Sequence, residues 1–248
     1  MTFRRLPLGL HAAFPALVLA AALAGCASPG SRFYTLSPTG DAARTAPAAA
    51  VSAGNPAWLI ELAPVDVPPQ VAKAQFVVQT DATQVRVLEQ ERWASMPGDE
   101  IRRALSGDLT QQLNTIDVYG SPHPDNVPVY RVSVNVQRFE SWPGSHALID
   151  AVWSVRALDS QTVMTCRSVL NEPVGEGYDA LVVGHRRAVA DLSQAISSGV
   201  RALAAVPLAS APASAKGGAT GGAKSAVRMK APASIACPQM VPAAASAG

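Results

Sequence analysis

Two stretches in the second half of the chain place apolar side chains at every second position, and they constrain the fold more than any other feature. Residues 130–137 alternate strictly, and residues 149–157 follow the same period after a turn at Pro143 and Gly144. The apolar positions are Tyr130, Val132, Val134, Val136, Ile149, Ala151, Trp153, Val155 and Ala157. A period of two is typical of strands with one face on a core and the other in water. These stretches therefore predict an antiparallel sheet.

Further strands and two helices complete the predicted fold. The other segments with strand composition are residues 58–62, 76–78, 85–88 and 163–170. One helix is predicted to begin at Pro97 and another to cover about residues 180–204. Their apolar stripes are Ile101, Leu105, Leu109, Leu113 and Ile116, and then Leu181, Val182, Val189, Leu192, Ile196, Val200 and Leu203. Because two helices packed on one face of an antiparallel sheet bury both stripes, we predict a single α+β domain.

The two ends of the chain differ in composition from this domain. Residues 26–56 and 206–248 consist largely of small residues, proline and glycine, which bury too little surface to offset the entropy of ordering. We therefore expect a flexible tether, a domain at residues 57–205 and a disordered C-terminal tail. An aromatic patch at residues 32–36 interrupts the tether, and a short strand docking on the domain is one interpretation of it.

Residues 1–25 are organised like the signal peptide of a bacterial lipoprotein. Arg4 and Arg5 precede an apolar run, which is typical of a secretory signal rather than a permanent membrane helix. Small residues before Cys26 resemble a lipobox, and this resemblance implies cleavage before Cys26 and lipidation of its thiol. The alternative is an ordinary signal peptide with an incidental cysteine. Ala27 stands where an aspartate would signal retention, which indicates delivery to the outer membrane.

The cysteine count suggests one further covalent link. Cys26, Cys166 and Cys237 are the three cysteines of the chain. If Cys26 carries lipid, an even pair remains in a compartment that permits disulfides. A bond between Cys166 and Cys237 and two separate thiols both stay open as interpretations.

Nothing in the sequence predicts catalysis or a bound cofactor. The sequence has no nucleophile elbow, metal-binding histidine pair, phosphate loop or dinucleotide fingerprint, and its cysteines lack the spacing of a zinc site. The net charge of +2 gives no basis for nucleic-acid binding. His185 falls in the apolar stripe of the last helix, where we expect a partly buried, hydrogen-bonded side chain. Asp99, Glu100 and Asp108 are expected on the solvated side of the first helix.

Several short motifs occur together in an order that resembles a known family. They are residues 32–36 (Arg-Phe-Tyr-Thr-Leu), 65–68 (Val-Asp-Val-Pro), 91–94 (Glu-Arg-Trp-Ala), 138–140 (Arg-Phe-Glu) and 150–153 (Asp-Ala-Val-Trp). With the final Ala/Leu-rich helix, the chain from Cys26 to about Ala204 resembles the ABC-type transport auxiliary lipoproteins. That group contains the lipoprotein partner of the paraquat-inducible transport system.

The resemblance implies a non-enzymatic subunit of a lipid-trafficking assembly, attached to the outer membrane and facing the periplasm. The implied partner is a periplasmic MCE-domain (mammalian cell entry) protein, and self-association into a ring would fit docking on its hexameric tunnel. Our candidate partner contacts are Phe33, Tyr34, Arg92 and Trp93, because tryptophan, tyrosine and arginine dominate binding hot spots. The alternative for Trp93 is that it fills the core. A lipid- or ligand-binding shuttle and an envelope-assembly lipoprotein unrelated to transport are the other functional hypotheses.

Overall fold

Seven strands and two helices form the domain in the computed structural model, which describes residues 30–37, 56–205 and 236–238. They are β1 (Arg32–Tyr34), β2 (Leu59–Leu62), β3 (Gln75–Gln79), β4 (Val85–Trp93), α1 (Pro97–Leu113), β5 (Val129–Trp142), β6 (His146–Ala157), β7 (Val163–Pro173) and α2 (Tyr178–Ala204). The predicted α+β class is confirmed. Cys26, most of the predicted tether and most of the predicted tail lie outside the described residues.

The predicted meander forms the larger sheet, in the order β2-β5-β6-β7. Strands β5, β6 and β7 pair antiparallel, with Val134 opposite Trp153 and Trp153 opposite Cys166. All nine alternating apolar residues of β5 and β6 are buried, as their period of two predicts. Helix α2 packs on β5, β6 and β7, and α1 packs beside it.

The strands do not form one antiparallel sheet, which corrects the prediction in its detail. A smaller sheet has the order β1-β4-β3. Both sheets contain a parallel pair, β1 with β4 and β2 with β5. The partners of each parallel pair are far apart in the chain, and strand composition gives no information about which distant strand is the neighbour. The alternation therefore predicted the strands better than it predicted their arrangement.

The helix stripes are buried as predicted, with one exception. Ile101, Leu105 and Leu109 are fully buried, but Ile116 is 46% exposed. The reason is that α1 ends before Ile116, at Asn114, which adopts a left-handed backbone conformation with φ of 49°. Among the described residues, no helix is long and apolar enough to cross a membrane.

Helix α2 approaches the larger sheet closely at two glycines. A Cβ atom on Gly199 would lie 3.0 Å from Cζ3 of Trp153. A Cβ atom on Gly184 would lie 2.9 Å from the Cβ of Ala147 and closer still to the side chain of Val174. The absence of a side chain at both positions lets the helix axis lie close to the strands, which closes the core over Trp153.

Candidate functional site

The aromatic patch of the predicted tether is a strand of the domain. β1 runs parallel to β4, with Phe33 beside Arg92 and Tyr34 beside Trp93. The backbone N–H of Ala94 donates a hydrogen bond of 2.7 Å to the carbonyl of Tyr34. The two pairs of residues that the sequence analysis selected as partner contacts are therefore direct neighbours. The folded part of the chain also extends into residues 30–37, which composition had assigned to the tether.

Glu91 holds β1 through its side chain. Its carboxylate accepts a hydrogen bond of 3.0 Å from Nε of Arg32 and one of 2.6 Å from the hydroxyl of Tyr34. Burial by itself raises the pKa of Glu91, but the bonds from Arg32 and Tyr34 outweigh it and lower the pKa below its ordinary value. Burial, together with the bond to Glu91, raises the pKa of Tyr34, which therefore stays a neutral donor.

Glu100 holds the residues that follow β1, and its position corrects a prediction. We expected its side chain on the solvated side of α1, but it is fully buried. Its carboxylate accepts hydrogen bonds of 2.7 Å from the hydroxyl of Thr35 and 2.9 Å from the backbone N–H of Leu36. Ser95 and Arg103 donate to the other oxygen, at 2.5 and 3.2 Å. These donors compensate the burial of a charge that would otherwise be unfavourable inside the domain.

The protonation state of Glu100 follows from the same contacts. Burial raises its pKa, but the hydrogen bonds from Ser95, Thr35 and Leu36 and the charge of Arg103 together hold it below the ordinary value. The two other acids of α1 differ from Glu100. Asp99 is exposed as expected, whereas Asp108 is half-buried, and burial raises its pKa.

Arg186 of α2 completes the attachment from a third element. Its Nε and Nη2 atoms donate to the carbonyl of Thr35, at 3.1 and 2.7 Å, and Nη2 also lies 3.3 Å from the carbonyl of Ser37. We refer to Glu91, Glu100 and Arg186 as the β1 clamp. β4, α1 and α2 each contribute one residue to it. The segment that follows the predicted lipid anchor is thus bound by side chains from three different elements.

The clamp residues were not recognised from the sequence. Glu91 lies inside a family motif, but no feature of the motif assigns a role to the carboxylate. Glu100 is an acid in the first turn of a helix, where acids are ordinary because the helix dipole favours them. Arg186 binds main-chain oxygens about 150 residues earlier in the chain. Each contact depends on tertiary structure, and no local pattern could have indicated it.

Two of the four predicted partner contacts are inaccessible. Trp93 is 3% exposed and stacks on Phe76 with ring centroids 4.6 Å apart, and Tyr34 is 8% exposed. Their side chains fill the core, which favours the alternative stated for Trp93 and extends it to Tyr34. Phe33 is 66% exposed and its neighbour Arg92 is partly exposed. Phe33 and Arg92 therefore form the accessible part of the site.

The two remaining cysteines are brought together in the structure. Cys166 lies in β7 and Cys237 in the short described segment at residues 236–238. Their Cα atoms are 5.7 Å apart and their sulfur atoms lie at disulfide distance, across a sequence separation of 71 residues. This arrangement holds a part of the predicted tail against the edge strand of the larger sheet.

His185 is fully buried, which is deeper than expected. Its Nε2 atom lies 2.8 Å from the hydroxyl of Ser141, and its ring stacks on Phe139 with centroids 4.1 Å apart. Among the described residues Nδ1 has no hydrogen-bond partner. Burial lowers the pKa of His185 to about 3, so the ring is neutral at pH 7. Its surroundings are those of a core residue rather than a proton-transfer site.

A pocket of about 440 Å³ opens beside the two helices, lined by Gln112, Gln194, Ser197, Ser198 and Arg201. The five lining residues all have polar or charged side chains, and the hydroxyl of Ser197 donates a hydrogen bond of 2.8 Å to the amide oxygen of Gln112. In the described part of the chain, no group of three or more potential metal ligands comes together.

The α+β fold and the β1 clamp together describe the class of small domains that hold, by side-chain hydrogen bonds, the segment following a predicted membrane anchor. The family model of the ABC-type transport auxiliary lipoprotein component matches residues 34–197. Because this match covers more than half of the chain, the protein belongs to that family, and the resemblance inferred from the sequence is confirmed. It is accordingly an auxiliary lipoprotein component of ABC-type transport.

Comparisons with other proteins support the fold alone. An uncharacterised protein of known crystal structure is 20% identical, with a TM-score of 0.54 over 69% of this chain and 99% of its own. A protein from Xanthomonas campestris is 14% identical, with a TM-score of 0.48 over 59% of this chain and 88% of its own. No curated protein matches the sequence. The first likeness shows that the arrangement of helices and sheets occurs in another protein.

Proposed function

We propose that the protein is a non-enzymatic lipoprotein subunit of an MCE-type lipid transport system, attached to the outer membrane through Cys26 and facing the periplasm. In this role it docks the transport machinery at the membrane and supports lipid trafficking between the two membranes. The observation that carries the proposal is the family match, because it covers the domain from β1 to α2. Catalysis, where the system hydrolyses ATP, belongs to another subunit.

The length of chain between Cys26 and β1 supports a docking role at the membrane. Only five residues separate Cys26 from Arg32, so the lipidated residue lies at most about 20 Å from β1. The β1 clamp then holds that strand against β4, α1 and α2. A lipoprotein built in this way stays close to the membrane surface and cannot carry cargo across the periplasm on a long tether.

Phe33 and Arg92 are the contact surface that we propose for the partner. They lie side by side on neighbouring strands, and Phe33 exposes two thirds of its surface. Aromatic residues, phenylalanine among them, and arginine are enriched at the cores of protein interfaces. The β1 clamp fixes the backbone beneath both residues, so the surface is rigid before the partner binds.

The alternative of a lipid-binding shuttle requires an apolar cavity. The pocket beside the helices is open and is lined by polar side chains, which suits neither an acyl chain nor a sterol. The space between the helices and the larger sheet is filled by the core, which includes Ile149, Trp153 and Met164. These observations favour docking over carriage.

A pull-down from detergent-solubilised envelopes tests the proposal. The tagged full-length protein is compared with a Cys26→Ala variant expressed at the same level. Recovery of an MCE-domain protein with the wild type, and less with the variant, is the expected result. Failure of the well-expressed wild type to recover any transport component would contradict the proposal. Native mass spectrometry of the purified chain provides the second arm, because a bound lipid would support the shuttle instead.

A further inference from the structure

The hairpin of β3 and β4 carries exposed apolar side chains beside a firmly structured turn. Val85 is 48% exposed and Val87 is 39% exposed at the start of β4. The carboxylate of Asp81 accepts hydrogen bonds from the backbone N–H groups of Thr83 and Gln84, at 2.7 and 2.9 Å. These hydrogen bonds fix the conformation of the turn, and the function proposed above assigns no role to it.

The direction of β1 relates this hairpin to the lipid anchor. β3 pairs with β4 at residues 85–88 and, after an irregularity, at Arg92, whereas β1 pairs with β4 on its other side at residues 91–93. Because β1 and β4 are parallel, the upstream end of β1 points towards the start of β4, where the hairpin turn lies. The hydroxyl of Ser31 donates to the side-chain oxygen of Gln90 at 2.9 Å, which continues the association one residue upstream.

The distances permit the anchor to lie beside the hairpin. Cys26 is four residues before Gly30, the first described residue, so it lies within about 14 Å of Gly30. Val85 is five residues before Gln90 in an extended strand, a span of about 17 Å. The two lengths are similar, and they start from Gly30 and Gln90, which are close together because Ser31 is hydrogen-bonded to Gln90. The chain is thus short enough for a lipid on Cys26 to lie in the neighbourhood of the hairpin.

We propose that the β3–β4 hairpin rests on the bilayer surface that holds the anchor, with Val85 and Val87 in contact with the lipid interface. The charged residues of the hairpin are Asp81, Arg86, Glu89, Glu91 and Arg92, so three acids stand against two arginines and no net positive charge attracts an anionic surface. The contact is therefore apolar and shallow, and it does not depend on anionic lipid. This inference rests on the lipidation of Cys26 in the proposed function, but not on the identity of the transport partner.

Two other exposed valines provide matched controls. Val169 of β7 is 51% exposed and Val183 of α2 is 47% exposed. Neither belongs to the hairpin or to the strand that continues from the anchor. A change from valine to cysteine at any of the four positions alters a solvent-accessible side chain, so the fold should tolerate each variant equally.

The experiment uses the lipidated full-length chain in vesicles of phosphatidylethanolamine and phosphatidylglycerol. Val85→Cys, Val87→Cys, Val169→Cys and Val183→Cys are each labelled with an environment-sensitive fluorophore, without reductant. Wild-type protein carried through the same reaction gives the background. Spin-labelled lipids with the nitroxide near the headgroup are then added to the vesicles, and the intact mass of each variant is measured to verify acylation.

We expect blue-shifted emission and several-fold stronger quenching at Val85→Cys and Val87→Cys than at the two controls. Removal of phosphatidylglycerol should leave this difference in place. Equal quenching at all four positions would overturn the inference, and so would a hairpin label that is shielded only when a transport protein is added. If Cys26 proves unmodified, both proposals fail. If the labels respond but the pull-down recovers no transport component, only the proposed function fails.

Discussion

The carboxylate of Glu100 accepts the backbone N–H of Leu36 at 2.9 Å, so a residue inside the first helix holds the chain just after β1. Leu36 itself is 3% exposed and belongs to the main core. A segment with the composition of a linker is thereby made part of the domain. The consequence is mechanical, because a force on the proposed lipid anchor would be transmitted directly to the folded domain.

Replacing Glu100 with glutamine should loosen this attachment. Glutamine has nearly the same shape, but its amide nitrogen would face donors that need an acceptor. We expect a loss of about 1–3 kcal/mol in the free energy of unfolding, which is the usual cost of leaving buried polar groups unpaired. Urea unfolding measures the loss, and hydrogen exchange at the Leu36 amide locates it. Asp99→Asn is the control, and an equal effect of the two substitutions would contradict the role of the clamp.

Acid should destabilise the domain through His185. Its folded pKa of about 3 lies below the ordinary value of 6.5, so the unfolded chain binds the proton more readily. Stability is therefore fully present above pH 6.5 and declines as the pH falls from there towards 3, by up to about 1.4 kcal/mol per pH unit. His185→Gln retains a partner for Ser141 without this titration. If the free energy of unfolding changes equally with pH in the wild type and in His185→Gln between pH 6.5 and 4.5, the prediction is wrong.

The pairing of Cys166 with Cys237 predicts a redox-dependent stability. A link across 71 residues stabilises the folded state by ~4 kcal/mol if it acts mainly on the entropy of the unfolded chain. We expect Cys237→Ser to lower the melting temperature and to remove its dependence on reductant. Mass spectrometry of non-reduced peptides identifies the link directly. Two free thiols in protein isolated from the periplasm would contradict it.

The surroundings of Gly184 and Gly107 predict that replacing each glycine with alanine has opposite effects on the stability of the domain. At Gly184 a methyl group would meet Ala147 and Val174, so Gly184→Ala should destabilise the domain by about 1–3 kcal/mol through overpacking. At Gly107, in the exposed part of α1, no atom lies within 4 Å of the added carbon. Gly107→Ala should therefore stabilise the domain by about 0.5–1 kcal/mol. Thermal melts of both variants measure the difference, and effects of the same sign would refute the packing argument.

What could be predicted from the sequence depends on how local the cause is. The burial of Val134 and Trp153 follows from a period of two, which is a property of neighbouring residues. The pairing of Phe33 with Arg92 joins positions 59 residues apart, so the sequence could select both residues but could not place them side by side. The burial of Glu100 depends on donors from β1, and an isolated helix pattern assigns such a residue to solvent.

The limits of the helix prediction have a similar origin. In the sequence pattern, Ile116 continues the apolar stripe of α1. In the structure, the left-handed conformation of Asn114 ends the helix and redirects the chain before Ile116. Asparagine tolerates that conformation better than most residues, and it was the only local signal of the helix end. Arg186 gave no signal at all, since a half-exposed arginine on a helix is ordinary until its acceptors are known.

The central claim is that the surface beside the anchor docks transport machinery, and photo-crosslinking from Phe33 tests it most directly. Replacing this exposed ring with a photoreactive phenylalanine analogue changes little else, and the same analogue at Val183 serves as the control. On illumination of intact cells, the account predicts a crosslink from position 33 to an MCE-domain protein and none from position 183. An acylated, well-expressed protein that forms no crosslink to any transport component from position 33 would contradict it.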